Sequence, residues 1–401
     1  MLIFQPFLAL STLWRSSMVN LQDIFNAFSD DYVKKHKSSL QQFKALNSIS
    51  NCRTSKLGGH ANSCDNCENI SIAYNSCRDR HCPMCQSIKR EKWRVDRNSD
   101  LLNTHYFHIV FTVPDTLNAL FYHNQSILYS LLMKSAANTL LQLCREDEHL
   151  GAQIGLTGIL HTWGQTLSYH PHVHFIVPGG GLCLKTNKFK TTSKKFFIHV
   201  NVMSGRFRKL FIKGFEALYS ANQIIDGNTG KPISQAYFNR LKISLSKKNF
   251  VVFAKDNFDS PTHVIKYLCQ YTHRVAISNH RILGITGGKV TFKYKDYKDK
   301  GKIKTMSLKG DEFIRRFLMH VLPNRFVKIR HYGIFAGRNR PTKLAFCQRM
   351  MKLIPSKKSK DYSTLEFLSL FMNIDFNVCP ACKQNGYKMI PLPTNSTPNT
   401  S

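Results

Sequence analysis

The stretch Ser168-Tyr169-His170-Pro171-His172-Val173-His174-Phe175-Ile176-Val177 limits the possible folds of this chain more than any other. Histidine recurs at every second position and runs into an apolar segment. Successive side chains of a β-strand point to opposite faces, so this period predicts a strand with His170, His172 and His174 aligned on one side. Imidazoles spaced that way on a rigid strand can chelate a divalent metal. The bland reading is a solvated strand face with unrelated polar groups. Such a strand needs a sheet around it. Residues 106–113 read as a buried strand stopped by Pro114, and residues 155–163 as a second strand. The second can pair antiparallel with the histidine strand, bringing His161 and Gln165 to its face. Residues 196–202 and 250–254 read as further strands, 117–143 as one long helix, and 205–220 and 233–245 as basic helices. Mixed strands, helices and hairpins predict an α+β fold over an antiparallel sheet.

Upstream lies a dense run of metal-ligand residue types: Cys52, His60, Cys64, Cys67, Cys77, His81, Cys82 and Cys85. Two Cys-x-x-Cys knuckles separated by 14 residues have zinc-ribbon spacing. Cys64, Cys67, Cys82 and Cys85 are therefore expected to close one tetrahedron. His60, Cys77 and His81 are spare donors, available to replace one of the four or to build a second site. The module is small and basic, so bound Zn²⁺ is expected to supply its folding energy. A last knuckle, Cys379 and Cys382, is half a zinc site, with Cys77, Cys52 or a histidine open as its partners.

Charge narrows the partner. Fifty-seven Lys and Arg against 24 Asp and Glu give a formal net charge of +33. That excess favours a polyanion, nucleic acid first, with binding that weakens as salt rises. An anionic membrane fits less well, because the charge forms no polybasic block beside an apolar anchor. The apolar leader before Met18 is too short to span a bilayer and lacks a basic start, and Met18 is a candidate true start. A bacterial cytosolic, nucleoid-associated location is expected, and there 12 cysteines mean metal ligands or reduced thiols, not disulfides.

Farther along, Pro261 suits a helix start capped by Ser260, and Tyr267 and Tyr271 would stand one turn apart on that helix. Taken alone, such a pair more often packs a core. Residues 281–308 read as a hairpin region turning at Gly287-Gly288, and 311–322 as an amphipathic helix. Residues 325–340 interleave Arg325, Lys328, Arg330, Arg338 and Arg340 with apolar and aromatic side chains, a pattern that suits a single-strand groove as well as a solvated strand edge. With Arg274 they are the expected DNA contacts. Residues 19–50 read as an amphipathic helical arm, 363–372 as a helix, and the Pro/Thr/Asn/Ser tail as disordered.

These segments together resemble the HUH-type rolling-circle transposases of the insertion sequence 91 family. The resemblance rests on Leu57-Gly-Gly-His60, Tyr74-Asn-Ser-Cys77-Arg-Asp-Arg-His81-Cys82-Pro-Met-Cys85-Gln86 and Leu160-His161-Thr-Trp163-Gly-Gln165. It continues through His170-Pro-His-Val-His174, Tyr267-Leu-Cys-Gln-Tyr271-Thr-His-Arg-Val-Ala-Ile-Ser278, Phe317-Leu-Met-His-Val-Leu-Pro323 and Arg330-His-Tyr-Gly333. The resemblance implies an HUH nuclease domain over residues 99–345. A leader and helical arm (1–50) and a zinc-binding domain (51–98) precede it, and a basic segment with the last knuckle (346–401) follows. It implies nicking and rejoining of single-stranded DNA, at the ends of its own mobile element and in target DNA. The metal pair would be His172 and His174, holding Mg²⁺ or, better matched to imidazole, Mn²⁺. The third ligand is open among His161, Gln165, His170 and Gln270. Tyr267 and Tyr271 would be the nucleophiles. A rolling-circle replication initiator or relaxase would share this chemistry, and a zinc-ribbon regulator would not.

Overall fold

A computed structural model describes residues 19–193, 197–258, 264, 276–373, 375 and 377–392, with only the backbone of 255–258 and 387. In chain order its strands are β1 (Gly59–Cys64), β2 (Ile70–Tyr74), β3 (Tyr106–Thr112), β4 (Gly155–Trp163), β5 (Tyr169–Pro178), β6 (Gly180–Cys183) and β7 (Lys188–Thr191). There follow β8 (Val251–Phe258), β9 (Ile282–Thr286), β10 (Lys289–Asp296), β11 (Lys302–Lys309), β12 (Ile329–Gly333) and β13 (Tyr387–Leu392). They form a five-stranded sheet β12-β4-β5-β3-β8, two three-stranded sheets β11-β10-β9 and β13-β1-β2, and the pair β6-β7. Every pairing is antiparallel. The architecture is the expected α+β arrangement, antiparallel sheets flanked by helices.

The large sheet has two unlike faces because its strands alternate. Phe107, Ile109 and Phe111 of β3 and Val173, Phe175 and Val177 of β5 point to one side. There they meet the helices Gln125–Leu143 and Val200–Ser220 in the main core. Phe207, Phe211 and Phe215, one helical turn apart, are each at most 1 % exposed and supply much of that core. The Phe175 ring lies over Gly158 on the neighbouring strand, where a Cβ would come within 2.6 Å of it. The opposite face carries the histidines, with His108, His161 and His174 on it buried.

A second core joins the N-terminal arm to the β9–β11 sheet. Leu21, Ile24 and Phe25 from helix Leu21–Lys35 and Leu46 and Ile49 from helix Leu40–Ser50 pack on Phe292, Phe313 and Phe317. Cys52 and Cys82, both 0 % exposed, belong to this core. The cysteine-rich module is thus built into the body of the protein.

Several local expectations need correction. The arm is two helices, each opened by its own capping box at Asn20 and Ser39. The helix expected over 117–143 breaks at Asn124, whose side chain donates to the Ile225 carbonyl and accepts from its N–H. Val200–Val202, expected in a strand, open a helix capped by His199; residues 194–196 lie outside the described set. The helix after Lys309 ends at Leu318, short of the expected residue 322.

At Gly333 the chain leaves β12 with φ +62°, and an added Cβ would overlap the Ile154 carbonyl oxygen. Gly333→Ala is expected to cost about 1–3 kcal/mol. The urea midpoint reads this directly, and an unchanged midpoint would contradict the assigned role of the turn.

Candidate metal centre

Pairing of β4 with β5 sets His161 directly opposite His172, and pairing of β3 with β5 sets Val110 opposite His174. On this face His161, His172 and His174 each offer a ring nitrogen, and the three nitrogens lie within 4.8 Å of one another. His161 and His174 are 3 % and 8 % exposed, while His172 is half-buried. Burial holds His172 and His174 toward neutral imidazole: His172 is pushed down to about 4, and His174 well below the ordinary range, also by its histidine neighbours. Neutral imidazole is the form that binds a metal.

Neighbouring groups orient these rings. His172 Nδ1–H donates to the His170 carbonyl at 2.7 Å, which leaves the Nε2 lone pair for a ligand. His174 Nδ1 is 2.8 Å from His108 Nε2, with the two rings stacked at an interplanar angle of 4°. His161 stacks on Trp163 at 4.5 Å, and Lys328 Nζ sits 4.8 Å above the Trp163 ring. Burial, with Arg80 nearby, pushes the Lys328 ammonium down to about 7.

Of the expected metal residues, His161, His172 and His174 come together. His170 contributes its backbone carbonyl instead. Gln165 is held elsewhere: its carbonyl accepts from Arg281 and its side-chain oxygen accepts from Lys295 N–H at 3.4 Å. Gln270, Tyr267, Tyr271 and Arg274 lie outside the described residues. Val264 is described and fully buried, in a cluster with Tyr106, Ile159 and Ile176. By register these three share the histidine face. Sequence reading missed His108, whose only signal was a lone polar residue inside an apolar strand. Nor did the sequence single out Phe253, which pairs with Val110 on the histidine face and is 56 % exposed.

The expected DNA contacts divide. Arg325 and Arg338 are exposed, and Lys328 stands beside the triad. Arg330 reaches the other way, to Ser130 Oγ at 3.0 Å, and Arg340 pairs with Asp100 at 3.4 Å.

The single zinc tetrahedron from Cys64, Cys67, Cys82 and Cys85 does not form. Cys82 and Cys85 meet Cys52 and Cys77, while Cys64 and Cys67 meet Cys379 and Cys382. Knuckles near in sequence are kept apart because the strand pair β1-β2 separates them. In the first quartet Sγ–Sγ separations are 3.4 Å (Cys52–Cys85), 3.6 Å (Cys77–Cys85) and 3.7 Å (Cys82–Cys52). A tetrahedron with Zn–S near 2.3 Å requires about 3.8 Å, so the quartet fits Zn²⁺. His60 lies on β1 outside both quartets. His81 is a brace: its Nδ1 bonds Asp79 at 3.0 Å and its Nε2 accepts from Leu322 N–H at 3.1 Å. Arg80 adds bonds to the Phe326 and Pro323 carbonyls at 2.6 and 2.7 Å, tying the module to the segment that leads into β12.

His320 shows the effect of burying imidazole away from the triad. It is 4 % exposed, bonded to Thr162 Oγ1 and the Leu167 carbonyl at 3.2 Å each, and burial pushes it down to about 4. Between about 6.5 and that value the unfolded chain takes up a proton that the folded chain refuses. Stability present above pH 6.5 is therefore lost as pH falls toward 4, by up to about 3 kcal/mol for this group. Urea midpoints at pH 7 and 5 should differ, and His320→Gln should shrink the difference; an unaltered difference would count against the assignment.

Fold and site define a class: an α+β protein with a histidine triad on an all-antiparallel sheet, braced by a cysteine-rich module. The family model described as "Transposase zinc-binding domain" matches residues 24–113, and the one described as "Putative transposase" matches residues 155–343. "Putative transposase y4qJ" of Sinorhizobium fredii is 41% identical over 367 residues, covering 90% of this chain and 92% of the relative. "Transposase for insertion sequence element IS801" of Pseudomonas savastanoi pv. phaseolicola is 26% identical over 339 residues, covering 82% and 79%. No solved structure matches the chain with statistical significance. The chain belongs to the insertion sequence 91 family of transposases. No helix among the described residues is long and apolar enough to cross a membrane.

Proposed function

We propose that this transposase is an HUH-type enzyme that nicks and rejoins single-stranded DNA, at its element's ends and in target DNA, during rolling-circle transposition in the cytosol. The observation that carries the reading is the triad, three histidines on one sheet face whose ring nitrogens lie within 4.8 Å of one another. His161, His172 and His174 hold the ion, with His161 as the third ligand. Three imidazoles suit Mn²⁺ better than Mg²⁺, which favours oxygen donors. When bound, the ion supplies charge neutralisation at the scissile phosphate. Lys328 and the exposed Arg325 and Arg338 hold the DNA backbone, and Phe253 offers a ring for a base. Zn²⁺ in the Cys52 quartet is structural.

Tyr267 and Tyr271 are the nucleophiles. A tyrosine oxygen attacks phosphorus, the bond from phosphorus to the 3′ oxygen breaks, and that oxygen takes a proton. The products are a 5′-phosphotyrosine and a free 3′-hydroxyl, which conserve the bond for rejoining. Chain connectivity supports this role. Tyr267 follows by three residues Val264, which is buried against the histidine face with Tyr106, Ile159 and Ile176.

The test is incubation with single-stranded element-end DNA and Mn²⁺, followed by denaturing electrophoresis. A covalent adduct is expected, reduced in Tyr267→Phe and in Tyr271→Phe and absent from the double variant. An adduct that survives both substitutions would sink the nucleophile assignment.

A further inference from the structure

We infer that Cys64, Cys67, Cys379 and Cys382 form a second structural zinc site, which clasps the C-terminal segment onto the N-terminal module. The four sulfurs lie within 4.8 Å of one another, with Cys64–Cys382 and Cys67–Cys379 both at 3.7 Å. That is the separation four thiolates take around one Zn²⁺, about 3.8 Å, and far from the disulfide length of about 2.05 Å.

The two half-sites are built alike. Cys64 N–H donates to the Asn69 carbonyl, and Glu68 N–H donates to the Cys64 carbonyl. Cys379 N–H donates to the Gln384 carbonyl, and Lys383 N–H donates to the Cys379 carbonyl. These are the same offsets in both turns. Glu68 and Lys383, each the fourth residue after the first cysteine, have left-handed backbones with φ of 55° and 62°. Two matched knuckles facing each other are how a zinc ribbon presents two pairs of thiolates. Backbone N–H groups also reach the sulfurs, from Asn69 to Cys67 and from Ala381 and Cys382 to Cys379. Such bonds stabilise thiolate and orient it for a metal.

The surrounding contacts carry the clasp outward. β13 pairs with β1 from Gly59↔Leu392 to Cys64↔Tyr387, and Asp65 N–H donates to the Gly386 carbonyl at 3.1 Å. Lys388 pairs with Asp65 at 2.7 Å on the exposed side. The site is separate from the Cys52 quartet and independent of the strand-transfer reading. Its last two ligands follow its first two by over 300 residues, so it closes only once the C-terminal segment is present.

The test is metal content of the full-length chain after dialysis against a weak chelator that clears the histidine site. Zinc per chain should fall by one in Cys379→Ser/Cys382→Ser and by one in Cys64→Ser/Cys67→Ser. The quadruple variant should lose that same single ion. Cobalt-substituted protein should lose about half of its thiolate-to-metal absorption in each. Zinc content unchanged in either pair, or a loss of two in the quadruple, overturns the proposal. Retention of the Cys52-quartet ion shows that the variants fold, so loss of both ions from a pair variant also counts against two independent sites. Limited proteolysis supplies the structural readout: the segment after residue 355 should be cut at least tenfold faster in Cys379→Ser/Cys382→Ser, and equal rates would refute the clasp.

Discussion

His174→Ala is expected to lower formation of the covalent DNA adduct by about a thousandfold or more, because a lost metal ligand removes several kcal/mol of charge stabilisation at the phosphate. His172→Ala and His161→Ala should behave alike, since all three nitrogens converge on one point. Two controls separate this from a general polar effect. His170→Ala should be mild, because the contact it makes to His172 Nδ1 comes from its backbone carbonyl. His108→Ala should fall between, about 10- to 100-fold, as the loss of a group that orients a ligand. Mn²⁺ affinity, followed by electron paramagnetic resonance, should fall in the same order as activity. Equal losses at His170 and His174 would show that the triad is not the metal site.

The second large effect is on stability. Cys82→Ser should release the ion of the Cys52 quartet and melt much of the second core, because Cys52 and Cys82 are fully buried among Leu21, Phe25 and Phe317. Structural Zn²⁺ binding is worth of the order of 10 kcal/mol in isolated zinc modules, more than a typical domain's net stability. Thermal unfolding with and without a strong chelator checks it: the wild type should lose a cooperative transition on chelation and Cys82→Ser should lack it from the start. A variant that melts like the wild type would remove zinc from the argument. Arg80 and His81 bond to the segment before β12, so the loss should also loosen that edge of the large sheet.

These expectations draw unequally on sequence and structure. The His170–His174 strand was legible because a period of two is written in adjacent residues and needs no partner to be read. The partner strand carrying His161 was legible for a related reason, since a short connection favours antiparallel neighbours. His108 and Phe253 were not, because a single polar or aromatic residue in a strand acquires meaning only through its register with other strands. Arg330 and Arg340 looked like DNA contacts by composition; whether a cation faces solvent or a protein partner depends on the face onto which it folds.

The cysteines mark the same boundary. By itself the sequence determined that this basic chain binds metal through Cys-x-x-Cys knuckles and presents histidines from one strand face, since local spacing and charge are properties of neighbouring residues. Only the tertiary structure decided which knuckle faces which, and which histidine completes the triad. The pairing of Cys64 and Cys67 with Cys379 and Cys382 is set by the β1-β13 ladder. Nearness in sequence argues for Cys82 and Cys85. Strand pairing overrides it because the backbone hydrogen bonds of the ladder hold the last knuckle against the first.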